Sequence, residues 1–426
     1  MRKLYYIVSL AMTAGLFVSC SSDLAETDEI IPQETVDSSL DGTTRTFPEN
    51  DGALPLRGNP ENNFWKILQG ADDAFARRRP VSYQIEDFQY DEIKKFTDQL
   101  IAEKGATTET EKYRAIWNWV GDNVKYNTTL NPAYSNEPYD VFINKVCVCQ
   151  GYANIMSVML LSQGIDVINV NGLLQAWAAH AWNYVRTDGT WRVCDRTNGL
   201  EYIASSTTSY KDVLTPIAAD GNFLETEKYG FNYTEGYLNL NVVKQADDAM
   251  VIPYSVTLND GKKYRVASFS PSEPIPSNVR DLYIGTNIES LGTGFVGLKD
   301  NAPNVEAAYV DTKSSFFESY NGVVYYKSGK GGPEPLYIPA AMKKLVLRPQ
   351  EVIEKNHVFD HSGIEEIVIA NGTKRLEAWA VEKCPNLKVA VVPMDTELDE
   401  EAFVDVHPDF EIIRMDQTGI KDVWAK

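Results

Sequence analysis

Val146-Cys147-Val148-Cys149-Gln150-Gly151-Tyr152-Ala153-Asn154 is the stretch on which the reading of this chain turns. From Tyr152 to Leu161 nearly every residue is apolar, Asn154 and Ser157 excepted, and Gly164 supplies a stop. Such a run predicts a buried helix over about 150–163 with Cys149 at its N-terminus. The dipole and the free backbone N–H groups of a first helical turn favour an anion. A thiol placed there is expected to have a lowered pKa and a larger thiolate fraction. The same N–H groups suit the oxyanion formed when a thiolate attacks a carbonyl.

Outward from this helix, His180 follows in Ala179-His180-Ala181-Trp182-Asn183-Tyr184-Val185. Asp188-Gly189 is a strong two-residue hairpin signal, and Trp191-Arg192-Val193-Cys194-Asp195 is the return strand. With that loop, paired residue numbers sum to 377, so Trp182 faces Asp195 and His180 faces Thr197. His180 and Asp195 then share a face as diagonal neighbours, ~7–8 Å apart between backbones and within side-chain reach. A three-residue loop would shift the register and break the pairing. His180 is also the only histidine before residue 357. A nucleophilic thiol needs a base within hydrogen-bond reach, and the imidazole needs a third group to hold its tautomer. Cys149, His180 and Asp195 are therefore the candidate catalytic residues. Upstream, residues 90–127 read as two helices. Ile93, Phe96, Leu100 and Ile101 give helical spacing in the first, and Thr108 with Glu111 forms a capping box opening the second. Tyr113, Ile116, Val120 and Val124 make one stripe that Trp117 and Trp119 widen, which is core packing.

Cys149-Gln150-Gly151-Tyr152-Ala153, Gln163-Gly164-Ile165, His180-Ala181-Trp182-Asn183 and the run from Asp188 to Asp195 together resemble the transglutaminase-like cysteine superfamily. The resemblance covers roughly residues 90–200, with flanks to about 235. It implies an α+β, papain-like core in which a helix bearing Cys149 packs on an antiparallel sheet bearing His180 and Asp195. Family members include transamidases, peptidases, peptide N-glycanases and inactive scaffolds, so the reaction type does not follow from the resemblance. The chain departs from the family at Arg196, where proline is common. Cys147 reads as a small buried apolar residue. An alternative makes Cys147, Cys149, His180 and Cys194 a zinc site, although Cys-x-Cys is tighter than usual zinc spacing. A Cys147–Cys194 disulfide is a further alternative that spacing does not decide.

Composition narrows the partners. The chain has 426 residues, room for two or three domains at ~150 each. Sixty acidic against 40 basic residues give a net charge of −20, which repels phosphates and anionic lipid headgroups. Nucleic-acid binding and docking on a membrane through a basic patch are thereby excluded. Five cysteines are too few for a disulfide scaffold. No Asp-x-Asp-x-Asp-Gly loop occurs, and no motif asks for calcium or any other cofactor.

Arg2 and Lys3, the apolar run Leu4–Val18 and Ser19-Cys20 read as an exported leader over residues 1–19. The pattern resembles the lipobox of bacterial lipoproteins, with Cys20 as the lipidated residue and Phe17 where leucine is usual. A secreted protein with an incidental Cys20 is the alternative. Residues 21–60 hold nine acidic and two basic residues with little periodicity, which predicts a flexible acidic tether over 20–60. The expected localisation is the outer membrane, at the cell surface, through the lipid anchor alone.

Leu347, Ile369, Val391 and Ile413 recur every 22 residues, as do Phe359, Val381 and Phe403. One unit of that length cannot bury its own apolar face, so the repeat predicts a solenoid. The run from Lys374 to Val389 and the segment Tyr309–Tyr326 resemble BspA-type leucine-rich repeats, the latter as an inserted hairpin. That resemblance implies a binding ladder for a surface protein or polymer. His357, His361 and His407 lack metal-ligand spacing, and Cys384 reads as packing. The expected organisation is a transglutaminase-like domain over 61–235, a β-rich connector over 236–280 with a turn at Asn259-Asp260-Gly261, and repeats over 281–426. The expected function is acyl transfer on peptide or protein amides, as a cysteine peptidase or amidohydrolase ahead of cross-linking. Alternatives are a non-catalytic surface binder that uses the first domain as scaffold, and an envelope structural protein.

Overall fold

Asp188 and Gly189 both take positive φ, 50° and 76°, as a two-residue type I′ turn requires. The strands they join pair Thr187 with Thr190 and Asn183 with Cys194, the register that sums to 377. The structure, a computed structural model, describes residues 47, 52–54, 60–70, 80, 82–175, 178–204, 214–219, 224–234, 236–292, 297–327 and 334–415. The leader, Cys20 and nearly all of the tether lie outside these residues.

Five helices precede or flank the site: α1 (Pro60–Gly70), α2 (Asp87–Lys104), α3 (Glu109–Asn123), α4 (Pro138–Asn144) and α5 (Cys149–Ser162). Thr108 accepts the Glu111 N–H while the Glu111 carboxylate takes the Thr108 N–H, so the capping box opens α3. Two short strands, β1 (Lys125–Tyr126) and β2 (Val146–Cys147), pair in parallel just ahead of α5.

The sheet that carries the site is built from β3 (Asp166–Leu174), β4 (Ala178–Thr187), β5 (Thr190–Asp195), β6 (Leu200–Ile203), β7 (Leu214–Ala219), β8 (Leu224–Glu225), β9 (Tyr229–Thr234) and β10 (Tyr237–Val243). β11 (Ala249–Val251) leaves it, and β12 (Ser255–Thr257) and β13 (Lys263–Phe269) return to it. The order is β12-β13-β10-β9-β7-β3-β4-β5-β6. The expected connector over 236–280 therefore does not stand apart. β10 pairs antiparallel with β9, Tyr237 opposite Thr234, so backbone pairing carries the sheet through the expected boundary. The Asn259-Asp260-Gly261 turn joins β12 to β13, with Gly261 at φ 73°.

One face of the sheet, through Val167, Val185 and Cys194, packs on α2 to α5. The other face, through Val170, Trp182, Tyr184 and Val193, packs on α1 and runs on into the following strands. Phe64 of α1 sits edge-on to Tyr184 and Tyr233, with ring centroids 4.5 and 4.8 Å away.

Parallel ladders begin at β11, which pairs with Asp281–Ile284 and through it with Ala307–Val310. Phe317–Tyr320 and Val323–Tyr326 then form an antiparallel hairpin, with Asn321 and Gly322 at positive φ. Three successive C-terminal coils each place one short strand in each of three parallel ladders, and Glu411–Met415 adds a fourth strand to the first ladder. A strict 22-residue period needs correction. Val346, Val368, Val391 and Ile413 are register partners, so the steps are 22, 23 and 22. Val352 meets Arg375 and Val358 meets Val381, both steps of 23. The extra residue thus falls between Val368 and Arg375, where Gly372 takes φ 90°. Val391 consequently stands beside Val368, not Ile369, and Val392 points into the core. Phe359 stands beside Glu382 and is 44% exposed, while Val358 fills the core position. Cys384 is buried there. Among the described residues no helix is long and apolar enough to cross a membrane.

Candidate active site

Cys149 is the first residue of α5, and the preceding Val148 offers no side-chain cap. The N–H groups of Gly151 and Tyr152 bond the Val148 carbonyl at 2.9 and 3.2 Å. Those of Cys149 and Gln150 are left for the site. The Gln150 N–H and the Ala181 N–H of β4 both reach the Cys149 sulfur, and the Cys149 N–H reaches the Tyr126 hydroxyl. The first turn of α5 and the edge of β4 thus aim backbone donors at the sulfur, which favours its charged form.

A buried amide network fixes the turn in place. Asn136 accepts the Val148 N–H at 3.2 Å through Oδ1, and its carbonyl accepts Asn154 Nδ2 at 2.9 Å. Asn154 Oδ1 accepts from Gln150 at 2.9 Å and from Asn169 at 3.0 Å. Asn183 Nδ2 donates to the Ala153 carbonyl at 3.1 Å and to Asn169 Oδ1 at 2.6 Å. The helix, β3 and β4 are thus tied by satisfied polar groups inside an apolar core. Gly151 is needed for a different reason. A Cβ there would lie 2.4 Å from the Cβ of Cys147, which packs under the turn.

His180 Nε2 lies 2.9 Å from Asp195 Oδ2, both side chains being almost wholly buried. The diagonal contact expected from the hairpin is therefore made. Trp182 stacks along the imidazole, with centroids 6.0 Å apart. With Nε2 on Asp195, Nδ1 is the nitrogen left to face the sulfur, and the Cys149 thiol hydrogen-bonds the ring. Burial pushes His180 down, but the bonds to Asp195 and Cys149 outweigh it and hold the imidazole up at about 9. Burial pushes Cys149 up, and the His180 bond and charge with the two backbone N–H groups bring it below the usual thiol range. The two opposite shifts favour a thiolate–imidazolium pair over the neutral thiol and imidazole.

The other described cysteines are free thiols of opposite character. Burial, with the charge of Cys149, pushes Cys147 up to about 12. Burial also raises Cys194, which receives the Tyr113 hydroxyl at 3.5 Å on the helix side of the sheet. Cys147 and Cys194 do not converge with Cys149 and His180 as the zinc reading requires, and among the described residues no three His, Cys, Asp or Glu side chains gather as a metal site. His357 and His361 are held neutral by burial within the solenoid, both near 4.

The turn after β5 holds two residues that had no role in the sequence reading, as Tyr126, Asn136 and Asn169 had none. Arg196 donates from Nε to the Trp117 carbonyl at 2.8 Å and lies over the Trp117 ring at 4.7 Å. It crosses Gly121 of α3 so closely that a Cβ there would fall 1.1 Å from its Nη2. This anchors the turn after β5. Asn198, in that turn, donates from Nδ2 to Asp195 Oδ2 at 2.7 Å and from its N–H to Oδ1 at 3.3 Å. The departure at Arg196 was its only sequence signal, while Asn198 had none.

Residues 94–196 match the family model described as transglutaminase-like superfamily. The matched span of this transglutaminase-like domain contains Cys149, His180 and Asp195. The human protein named kyphoscoliosis peptidase is 24% identical over 187 residues, covering 37% of this chain and 28% of that one. Its mouse counterpart is 23% identical over 134 residues, covering 28% and 20%. The chain thus spans under a third of the length of these curated relatives. Among solved structures, a candidate cysteine protease from Cytophaga hutchinsonii is 16% identical over 42% of this chain and 59% of its own, with a TM-score of 0.25. A leucine-rich repeat protein from Eubacterium ventriosum is 13% identical over 34% and 52%, with a TM-score of 0.18.

Proposed function

We propose that this protein is a cysteine-dependent acyl-transfer enzyme acting on peptide or protein amides. The observation that carries the reading is the buried His180–Asp195 contact of 2.9 Å with the Cys149 thiol on the ring's other side. The Cys149 thiolate attacks an amide carbonyl carbon and forms the C–S bond. Backbone N–H groups of the first turn of α5 stabilise the oxyanion. The His180 imidazolium gives its proton to the leaving amine as the C–N bond breaks. His180 then takes a proton from water, which attacks the thioester, and the C–S bond breaks to free acid and thiol. A lysine amine in place of water gives a cross-link. Hydrolysis is favoured because water is abundant outside the cell, and the name of the human relative points the same way.

In this proposal residues 1–19 direct export, Cys20 carries the lipid, and the solenoid presents the catalyst to a surface protein or polymer. The second reading, a surface binder with an idle site, is favoured only by the solenoid. The two are separated by incubating the full chain and its Cys149→Ala variant with an unfolded protein and an alkyl amine probe. Cleavage lost in Cys149→Ala supports hydrolysis, and probe incorporation lost in the variant supports transamidation. Identical behaviour of the two chains contradicts the enzyme reading.

A further inference from the structure

Asp195 serves two donors with one oxygen. Oδ2 lies 2.9 Å from His180 Nε2 and 2.7 Å from Asn198 Nδ2. The two nitrogens are in turn 3.2 Å apart. Exchanging the oxygen and nitrogen of the Asn198 amide would set an oxygen against the carboxylate, so the NH2 faces Asp195. The separation of the nitrogens is then a meeting of two donors on a shared acceptor.

A neutral donor on a carboxylate spreads its charge and makes it a weaker partner for a cation. The partial positive charge of the amide hydrogens also faces the imidazolium edge. Both effects oppose the protonated form of His180. We infer that Asn198 is a positioning residue that tempers the His180–Asp195 pair, loosening the carboxylate's hold so that the imidazolium yields its proton to a leaving amine more readily. This rests on the acyl-transfer reading of the site.

The surroundings leave few competing charges. Among the described residues, the ionisable groups facing His180 are Asp195 from β5 and Cys149 from α5. Tyr126 from β1 stands beyond Cys149. Arg196, in the same turn as Asn198, is turned onto Trp117 of α3. β3 places Gly172 opposite His180, and Trp182 covers the ring. Asn198 itself is exposed, so replacing it opens no core cavity.

The test is the titration of His180 in the full chain, followed by histidine-selective NMR and assigned with His180→Ala. Asn198→Ala should raise the His180 midpoint by about half a pH unit or more. Asn198→Asp, which keeps the size and adds a negative charge, should raise it further. A midpoint that stays put or falls in both variants, with or without a lower Tm, overturns the inference. Iodoacetamide alkylation of the wild type separates this failure from that of the functional reading. If Cys149 reacts near pH 6 no faster than Cys384, the acyl-transfer reading falls and this inference with it. If Cys149 is fast and the midpoint does not rise, only the role of Asn198 is wrong.

Discussion

His180 is raised and Cys149 is lowered by the same contact, so each residue's chemistry depends on its partners. Asp195 is the partner that can be altered at constant size. Asp195→Asn removes the charge and leaves only the Cys149 contact to oppose burial, which lowers the imidazole. The His180 midpoint should fall from about 9 toward its ordinary value of 6.5, read by the same NMR titration. The thiolate–imidazolium range then closes from its alkaline side. Gly151→Ala should cost ~1–3 kcal/mol by overpacking against Cys147, measured by chemical denaturation. At this scale the three candidate residues were legible because a two-residue turn fixes strand register by number alone. Asn169 and Asn183 were visible only as polar residues among apolar ones. A turn residue such as Asn198 has no periodicity to tell which way it points.

The elements of the site meet at the turn after β5, and its anchor is on α3. Gly121→Ala should expel the Arg196 guanidinium, since the new methyl would occupy its place. The alanine itself favours the helix by ~1 kcal/mol. That offsets a lost cation–π contact of ~1 kcal/mol, so stability should change little. Cys149 alkylation should slow to a similar degree in Gly121→Ala and Arg196→Ala, and no further in the double variant. Additive losses would show that the two residues do not act through one contact. The helices and the hairpin were legible from capping and period. The extent of the sheet was not, because β10 pairs in parallel with β13 across the intervening β11 and β12, and no local signal marks which strand a hairpin will join. The added residue in the Ala370–Lys374 turn was likewise hidden, since one slip in a degenerate repeat leaves an apolar residue at each expected position.

Across the whole molecule, the solenoid core is a cluster distinct from the two that clasp the sheet bearing His180 and Asp195. Ile367→Ala, at a fully buried solenoid position, should cost ~2–5 kcal/mol and raise hydrogen exchange over residues 344–415. It should leave Cys149 alkylation at pH 6 unchanged, as a catalyst with a separately packed ladder requires. The account stands or falls on the reactivity of one thiol. The most direct measurement is site-resolved iodoacetamide alkylation of the full chain near pH 6, wild type against His180→Ala. The account predicts that Cys149 reacts at least about tenfold faster than Cys147, Cys194 and Cys384, and that His180→Ala removes the difference. Equal rates for Cys149 and Cys384 in the wild type, or an undiminished Cys149 rate in His180→Ala, would contradict it.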